Sequence, residues 1–522
     1  MEAAVLRGGI PPPDDGIRAD QSALLTPVRQ REMEPSGRQA VSSLLRERPS
    51  PVTSPPKGPV VLESRASSCS ASRPTSIKGL PMNIVRRRLL TTTAGLLAAV
   101  LSSRAPATAL PARPDPANAR WIAPGGTGDG LTPETAAAPA TLDDLIGALS
   151  GEGGIVHVRA DLGSYEGAFA DRPVTAAPER EVTVRGSDGA GRPMHAILDG
   201  ARPMWTQQDD IHRTKAKGGP QWGSRIFLLR GARNLRFSHF AFQNVGNGAF
   251  CFEAPSHDIA IEDCTGTNLY RFIEAANAPA VPLDAALVTG LTVRRCRAEI
   301  YERSFARFRH ASHTVLLEDC EGDSGRLDGD RFAAGIAIED GCHDMVFRRC
   351  VMRNHHDDNG KGYWNGDGFF ANDQTYNILF EDCEATGNTD SGWDVKGRNP
   401  RWIRCRASGN KRNFRFWGLD GVAEDLSLGP CVWYGEGIEN GGPAHIHVLH
   451  DGATKQGATI TFRNLTIDAS GGVGQPFYFA SEFPGATVAV EGHDIAKPAQ
   501  VRMDSREGGT RPYTLRLIPP RT

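Results

Sequence analysis

The feature that most constrains this chain is a short phrase that recurs from Phe237 onward. In each copy two alternating apolar residues and two polar residues precede one fixed position, occupied by Phe240, Cys264, Cys296, Cys320, Cys350, Cys383 and Cys405. Successive copies lie 24, 32, 24, 30, 33 and 22 residues apart, which is typical of a solenoid whose coils keep their strands while one loop varies in length. The alternation predicts a strand, with the cysteines stacked inward as buried thiols rather than disulfides.

This repeat resembles the right-handed parallel β-helix of the pectate lyase-like superfamily, over roughly residues 123–472. The leading segment is also similar, because a short amphipathic helix with the sequence LDDLIGAL, N-capped by Thr141, is expected to plug the open end of the coil. The resemblance implies an all-β solenoid with a short N-terminal capping helix. We place the cap and first coils in 110–225 and the β-helix core in 226–472. The segment 473–522 has strand-like runs but no coil phrase and no assigned role.

The predicted solenoid is acidic, although the whole chain has a formal net charge of only −2. Residues 110–522 contain 44 Lys and Arg against 53 Asp and Glu, a net charge of −9. This balance argues against a nucleic-acid partner, because phosphate contacts need a basic surface. It is compatible with a cation-dependent site.

The first 109 residues have a different character. Residues 1–81 are rich in Pro, Ser and Arg without apolar periodicity, which predicts a disordered extension or a translation start upstream of the true one. Residues 82–109 read as a signal peptide with a basic start, an apolar run and a small-residue cleavage site. Their arginine triplet at 86–88 resembles a twin-arginine export signal, with the general secretory route left open. We therefore expect a secreted or periplasmic monomer without a stable membrane span.

Three aspartates and an arginine align on successive predicted coils within residues 366–418. The strings GDGFFAND, DSGWDVKG and KRNFRFWG can be laid under one another, which places Asp367, Asp390 and Asp394 on neighbouring coils and Arg415 one coil further along. Carboxylates gathered in this way suit a hard cation with oxygen ligands. The alternative left open is that these aspartates only form turns, since GDG and NTDSG are good turn sequences.

Within the superfamily, this segment is similar to polysaccharide lyase family 9, which eliminates across uronic-acid polymers with the help of calcium. The family's DDGWD motif corresponds to residues 390–394, and its preceding NGDGF motif corresponds to residues 365–369. Two positions depart from the family pattern. Ser391 stands in the place of a fourth aspartate, and Arg415 stands in the place of the lysine base.

The resemblance implies a role for each charged residue of the segment. The implied Ca²⁺ ligands are Asp367, Asp390 and Asp394. The implied catalytic residues are Arg415, in the slot of the family's base, and its substitutes Lys396 and Lys411. Residues expected to bind the acidic polysaccharide are Lys361, Trp364, Arg398, Arg412 and Trp417. In such a lyase the cation neutralises the uronate carboxylate, a base removes the C5 proton, and the C4 oxygen leaves.

Two other functions are left open on the same fold, because a fold does not fix an activity. The NTD at 388–390 is similar to a motif of glycoside hydrolase family 28, but the later DD, GHG and RIK segments of that family are absent. Hydrolysis by another aspartate pair stays open. A non-catalytic adhesin or carbohydrate-binding solenoid would keep the groove and need no base.

The run His355-His356-Asp357-Asp358 contains potential metal ligands. Adjacent side chains on an extended segment point to opposite faces, so one ion would not reach them all. We therefore predict a polar loop that overhangs the groove rather than a metal site.

Overall fold

The computed structural model describes residues 4–6, 118–201, 225–329, 332–358, 363–435, 442–450, 456–470, 473–480, 485–495, 501–504 and 513–518. The predicted signal peptide, and most of the stretch 1–81 predicted to be disordered, lie outside the described residues. The chain divides into two units, and the one formed by residues 17–113 also lies outside them. Within the described ranges, no helix combines the length and the apolar character needed to cross a membrane.

The described part is a right-handed parallel β-helix, as predicted, in which nearly all strands belong to one parallel sheet. Each coil contributes strands to three ladders. The first ladder contains Ala119–Ile122, Gly154–Arg159, Val182–Ser187, Arg233–Ser238, Ser256–Glu262, Val288–Arg294, His313–Glu318, His343–Arg348, Tyr376–Glu381, Arg401–Ile403, Gly421–Glu424, Thr459–Ile467, Thr487–Ile495 and Thr514–Ile518. The second ladder contains Tyr165–Glu166, Ala196–Asp199, Glu321–Asp323, Val351–Arg353, Glu384–Thr386, Arg406–Ser408 and Ser427–Leu428.

The third ladder carries the predicted site. It contains Arg172–Val174, Phe227–Arg230, Ala334–Ile338, Asp367–Ala371, Ser391–Val395, Arg412–Phe416, Ala444–Val448, Gln475–Ala480 and Val501–Asp504. Three long strands bend from the second ladder into the third, namely Phe240–Ala254, Thr265–Ala275 and Arg297–Phe308. Two antiparallel pairs of described strands lie outside this scheme, namely Ala4–Leu6 with Thr514–Ile518 and Asp357–Asp358 with Trp364–Asn365. Among the described residues, the helices are the 3₁₀ turn Pro139–Thr141 and the α-helix Leu142–Gly147.

The cysteines of the repeat stack inside the coil. They lie where the first ladder turns into the second, and all of them are buried free thiols. Their register follows from the strands before them, since Arg294 pairs with Glu318 and Glu318 pairs with Arg348. The predicted inward stack is confirmed.

The residues two positions before the first five of these cysteines form a second stack, on the outer face of the first ladder. We call this stack the charge ladder; it consists of Glu262, Arg294, Glu318, Arg348 and Glu381. Arg294 Nε lies 3.0 Å from Glu318 Oε2, and Arg348 Nε lies 2.7 Å from Glu381 Oε2. Because like charges directly opposite each other destabilise a strand pair, the alternation in sign favours the observed register.

The α-helix closes the N-terminal end of the coil by burying Leu145 and Ile146. The predicted N-cap is wrong in detail. The Thr141 hydroxyl donates to the Ala138 carbonyl at 2.8 Å and not to the helix, because a 3₁₀ turn runs directly into the first helical turn.

The coil continues beyond residue 472, where the sequence suggested that it ends. Gln475–Ala480 pairs in parallel with Ala444–Val448, and Thr487–Ile495 pairs in the same way with Thr459–Ile467. The described parts of 473–522 are therefore further coils. The boundary was misplaced because these coils lack the cysteine phrase, although they keep its alternation.

Candidate functional site

The third ladder brings the predicted metal ligands and the predicted catalytic residues together. Asp394 is the direct register partner of Arg415 on the next coil. Trp393 points into the core and stacks on Phe369 with ring centroids 5.5 Å apart, so Asp394 beside it points outward. Asp390 directly precedes the same strand. The alignment of motifs in the sequence therefore corresponds to proximity in space.

Asp390 lies at the centre of the cluster and is fully buried. It forms an ion pair with Arg412, accepts a hydrogen bond from the Tyr363 hydroxyl, and lies 3.2 Å from Arg415 Nη1 through its Oδ2. Burial by itself would raise the pKa of Asp390, but Arg412 and Arg415 outweigh it and hold the pKa below its usual range. Asp390 is therefore an ionised carboxylate, and each of its two oxygens contacts a cationic or hydroxyl group.

Asp367 is buried as well, but its environment shifts its pKa in the direction opposite to that of Asp390. Its Oδ1 accepts a hydrogen bond of 2.9 Å from the Ser391 backbone N–H. Burial, reinforced by the nearby charges of Asp390 and Asp394, raises the pKa of Asp367 well above its usual range. The cluster thus contains one carboxyl group that favours the protonated form beside one that favours the ionised form.

Four residues form the part of the cluster nearest the surface, where one buried carboxylate is surrounded by three partly exposed side chains. We call them the edge group: Asp394, Lys396, Arg415 and Trp417. Lys396 Nζ and Arg415 Nη1 each lie 3.6 Å from Asp394 Oδ2. Both cations also lie over the Trp417 ring, with Lys396 Nζ 4.6 Å and Arg415 Cζ 4.4 Å from its centroid. The side chains of Lys396 and Arg415 are each 14% exposed, so a ligand can reach both.

Arg415 is not placed to accept a proton. Burial lowers its pKa, but Asp394 and Asp390 raise it by more, and the pKa of Arg415 stays above its usual range. A base role would have needed neighbouring cations to dominate, and the groups that dominate are carboxylates. This corrects the expectation from the family slot, and Arg415 acts here as a fixed positive charge.

Lys411 and Arg412 lie beneath the edge group. Lys411 is fully buried, with its Nζ 5.4 Å from the Tyr363 ring centroid and 5.7 Å from that of Trp433. Arg412 is 2% exposed and faces Asp390. Both side chains are therefore placed to contribute positive charge from the buried side of the site. Lys411 is not placed to act as a base, nor Arg412 to bind the polymer, as the sequence had predicted.

The remaining predicted residues lie apart from the edge group. Trp364 is half-buried and packs edge-on against His356 with ring centroids 4.8 Å apart. Arg398 is exposed at the corner that leads back to the first ladder. Lys361 lies outside the described residues.

The segment 355–358 is not the expected surface loop, because His355 and Asp357 are buried and His356 and Asp358 are half-buried. The Tyr301 hydroxyl and His355 Nε2 lie 2.5 Å apart, and His355 Nδ1 lies 2.7 Å from Asn388 Oδ1. Burial lowers the pKa of His355 to about 4, so the imidazole is neutral. Asp357 is also buried and pairs in the short hairpin. This segment supports the turn before Asp390 and does not overhang the groove.

Two aromatic residues of the site were missed from the sequence. Tyr363 donates to Asp390, and Trp433 covers Lys411. The signal for Tyr363 was its place just before the aspartate motif, in the string YWNGDGF. Trp433 follows no recurring motif, and only the coil brings it to the cluster.

The donors of this cluster do not fit a calcium ion as they are arranged. Ca²⁺ takes six to eight oxygen ligands. Both oxygens of Asp390 face cationic or phenolic groups, and Asp394 Oδ2 faces an ammonium and a guanidinium group. In the position of the family's fourth aspartate, Ser391 offers only a hydroxyl. Across the residues that the structure describes, no group of three His, Cys, Asp or Glu is arranged to hold a metal ion.

No family model and no curated protein sequence matches this chain. Among solved structures, it is similar to the Agl-KA catalytic domain at 12% identity, covering 77% of this chain and 68% of that one with a TM-score of 0.44. It is similar to an exopolygalacturonase from Thermotoga maritima at 12% identity, 67% and 92% coverage and a TM-score of 0.41. It is also similar to pectate lyase Pel9A at 13% identity, covering 60% of this chain and 77% of that one with a TM-score of 0.34. The fold assignment rests on the ladders themselves.

Proposed function

We propose that this protein is an exported polysaccharide lyase that cleaves a uronic-acid polymer by β-elimination. The observation that carries the proposal is the edge group, in which Lys396 and Arg415 flank Asp394 over the ring of Trp417. Two reachable cations suit a sugar that bears a carboxylate, and an indole ring suits the apolar face of a sugar. The similarity of residues 365–369 and 390–394 to polysaccharide lyase family 9 supports the same reaction.

Each residue of the edge group has a role in the proposed reaction. Arg415 pairs with the uronate carboxylate and stabilises the negative charge that develops when C5 loses its proton. Lys396 takes that proton, because an amine accepts a proton in its neutral form and a guanidinium does not. The C4–O bond then breaks, the C4=C5 double bond forms, and the departing oxygen takes a proton from water while Lys396 holds the proton from C5.

The proposal includes the expected partner and location. The partner is an acidic polysaccharide and not a nucleic acid, since residues 110–522 carry a net charge of −9 and phosphate contacts need a basic surface. The predicted export signal would bring a monomeric enzyme to this substrate outside the cytoplasm. Calcium is implied by the family resemblance alone, and the roles proposed for Arg415 and Lys396 do not require it.

A glycoside hydrolase is the second candidate, and one observation favours it. The pKa of Asp367 is raised while that of Asp390 is lowered, and such a split separates a general acid from a base. Both carboxyl groups are buried, however, while the cations of the edge group are partly exposed. Elimination therefore ranks first.

The deciding experiment is incubation with a panel of polyuronates. Ultraviolet absorbance reports unsaturated ends, and a reducing-sugar assay counts all new ends. We expect both signals to rise together on one polyuronate, and neither to rise on its fully methyl-esterified form. Reducing ends without absorbance would select the hydrolase. Binding with neither signal would select the non-catalytic solenoid.

A further inference from the structure

We infer that Arg415 takes the place of the divalent cation, so that elimination proceeds without bound metal and requires a free substrate carboxylate. This inference rests on the proposed function and deepens it. It names the group that neutralises the substrate, and it departs from what the family resemblance implies. It is supported by the position of Arg415, by the charge balance of the cluster and by two buried polar atoms.

The position of Arg415 is the first observation. Arg415 lies in register with Asp394, and its Nη1 lies between two carboxylates, 3.2 Å from Asp390 Oδ2 and 3.6 Å from Asp394 Oδ2. A metal ion bridging these two carboxylates would need the same space. The guanidinium group is also fixed from one side by the Trp417 ring. The cation at this point of the coil is therefore part of the chain.

The charge balance is the second observation. The cluster contains three carboxyl groups, of Asp367, Asp390 and Asp394, and four basic side chains, of Lys396, Lys411, Arg412 and Arg415. With every group ionised, the basic groups exceed the carboxylates by one; with Lys396 neutral, as the proposed base, the two are equal and no negative charge is left over for a metal ion. Adding a doubly charged ion to a largely buried group of this kind would place like charges together at low dielectric, which is costly. A substrate carboxylate would instead reduce the excess.

A pair of buried polar atoms is the third observation. Among the described residues, Arg415 Nε is a donor and Asp394 Oδ1 an acceptor without a hydrogen-bond partner. Buried polar atoms in native proteins are normally paired. A uronate offers both partners, since its carboxylate can accept from Nε and one of its hydroxyl groups can donate to Oδ1. An esterified residue would keep the hydroxyl and lose the charge that pairs with the guanidinium group.

The first test uses the wild-type protein with metal ions removed by exhaustive chelation. We expect the rate of unsaturated-end formation on the preferred polyuronate to stay within about twofold, with no increase on adding Ca²⁺. Equilibrium dialysis against Ca²⁺ should show no stoichiometric site at micromolar concentration. Turnover that is lost on chelation and restored by Ca²⁺ would overturn the inference, as would one tightly bound calcium per chain.

The second test changes the residue itself. Arg415→Ala should lower kcat by about 10²–10³-fold, the usual effect of removing a group that stabilises developing charge. Arg415→Lys retains the charge without the two-pronged geometry and should lie between Arg415→Ala and wild type. Arg404→Ala, on the far side of the coil, is the matched control and should keep wild-type turnover. Near-normal turnover in Arg415→Ala would refute the inference.

A binding measurement separates this inference from the proposed function. Trp417 lies against Arg415, so its fluorescence should report the binding of an oligouronate in the presence of chelator. We expect wild-type affinity to be independent of chelator and to fall at least tenfold in Arg415→Lys. If no polymer yields unsaturated ends but this pattern holds, the lyase proposal fails and Arg415 remains the metal-free carboxylate site. If unsaturated ends form but binding requires Ca²⁺, the lyase proposal stands and the inference that Arg415 replaces the metal fails.

Discussion

The charge ladder and the cluster around Asp390 use the same residue types on two sides of one coil, with opposite arrangements. In the charge ladder, sign alternates from coil to coil and the side chains remain partly exposed, 31% for Arg294 and 17% for Glu318. Around Asp390, two arginines lie on a single strand, and the carboxylate between them is fully buried. One arrangement is regular and balanced, and the other is irregular and has an excess of basic groups.

The difference shows which set of charges serves the fold. Exposed ion pairs contribute about 0–1 kcal/mol each, and their alternation favours one register at little cost. Buried charges are expensive to desolvate, and a well-packed apolar core is often as stable without them. A chain that already has a cheap means of fixing its register does not need the second arrangement for folding. This contrast supports the proposal that the cluster serves substrate chemistry.

The largest expected effect sharpens this comparison through activity alone. Lys396→Gln should lower kcat by about 10²–10⁴-fold, the usual contribution of a general base. Lys396→Arg should be similarly slow, because a guanidinium does not accept the proton. Both variants should unfold at the wild-type urea midpoint, since this side chain makes one ion pair, of 3.6 Å, near the surface. Wild-type turnover in Lys396→Arg would show that only its charge matters.

A large effect on stability is expected at the buried partner. Asp390→Asn removes the carboxylate charge that faces the buried Arg412, which should lower the free energy of unfolding by about 3–5 kcal/mol. Urea denaturation followed by circular dichroism measures this loss. A loss below about 1 kcal/mol would mean that the cluster tolerates the removal of its central negative charge, and the contrast with the charge ladder would disappear.

A smaller effect of opposite sign is expected for Asp367→Asn. The folded state raises the pKa of Asp367, so the wild-type carboxyl group contributes stability at low pH that is lost as pH rises through the folded-state pKa. Asparagine resembles the protonated form at every pH. The variant should therefore be more stable than wild type at pH 7, by about 1 kcal/mol. The gain should shrink as pH falls towards about 3.9, the ordinary aspartate value. A pH-independent difference would contradict the raised pKa.

The smallest effect is expected in the charge ladder. Glu318→Gln should lower the free energy of unfolding by at most about 1 kcal/mol, because Glu318 pairs with partly exposed arginines. In about 1 M salt, where screening acts over about 3 Å, the difference from wild type should nearly vanish. The loss in Asp390→Asn should persist under the same conditions, because buried pairs are screened much less. Equal salt dependence at the two sites would break the comparison.

Much of the fold follows from the sequence alone. The alternation before each cysteine predicted the strands, their inward side and the stack from Cys264 to Cys405, because a coil of fixed cross-section returns the same position to the same place. The same repeat contains the charge ladder, because the pairs ED and RR alternate before successive cysteines from Cys264 to Cys383. This stack was not predicted from the sequence. The coils after residue 472 were missed because they keep only the alternation and lose the cysteine.

For the site, the motif alignment was enough to place Asp367, Asp390, Asp394 and Arg415 near one another. The alignment could not tell which cations are buried. Arg412 was therefore predicted to bind substrate and Lys411 to serve as a base, and the burial of both side chains prevents these roles. The opposite pKa shifts of Asp367 and Asp390 were equally out of reach. Register is a property of spacing along the chain. Desolvation and the sum of nearby charges depend on residues from distant segments, such as Tyr363 and Trp433, that only the wound coil brings together.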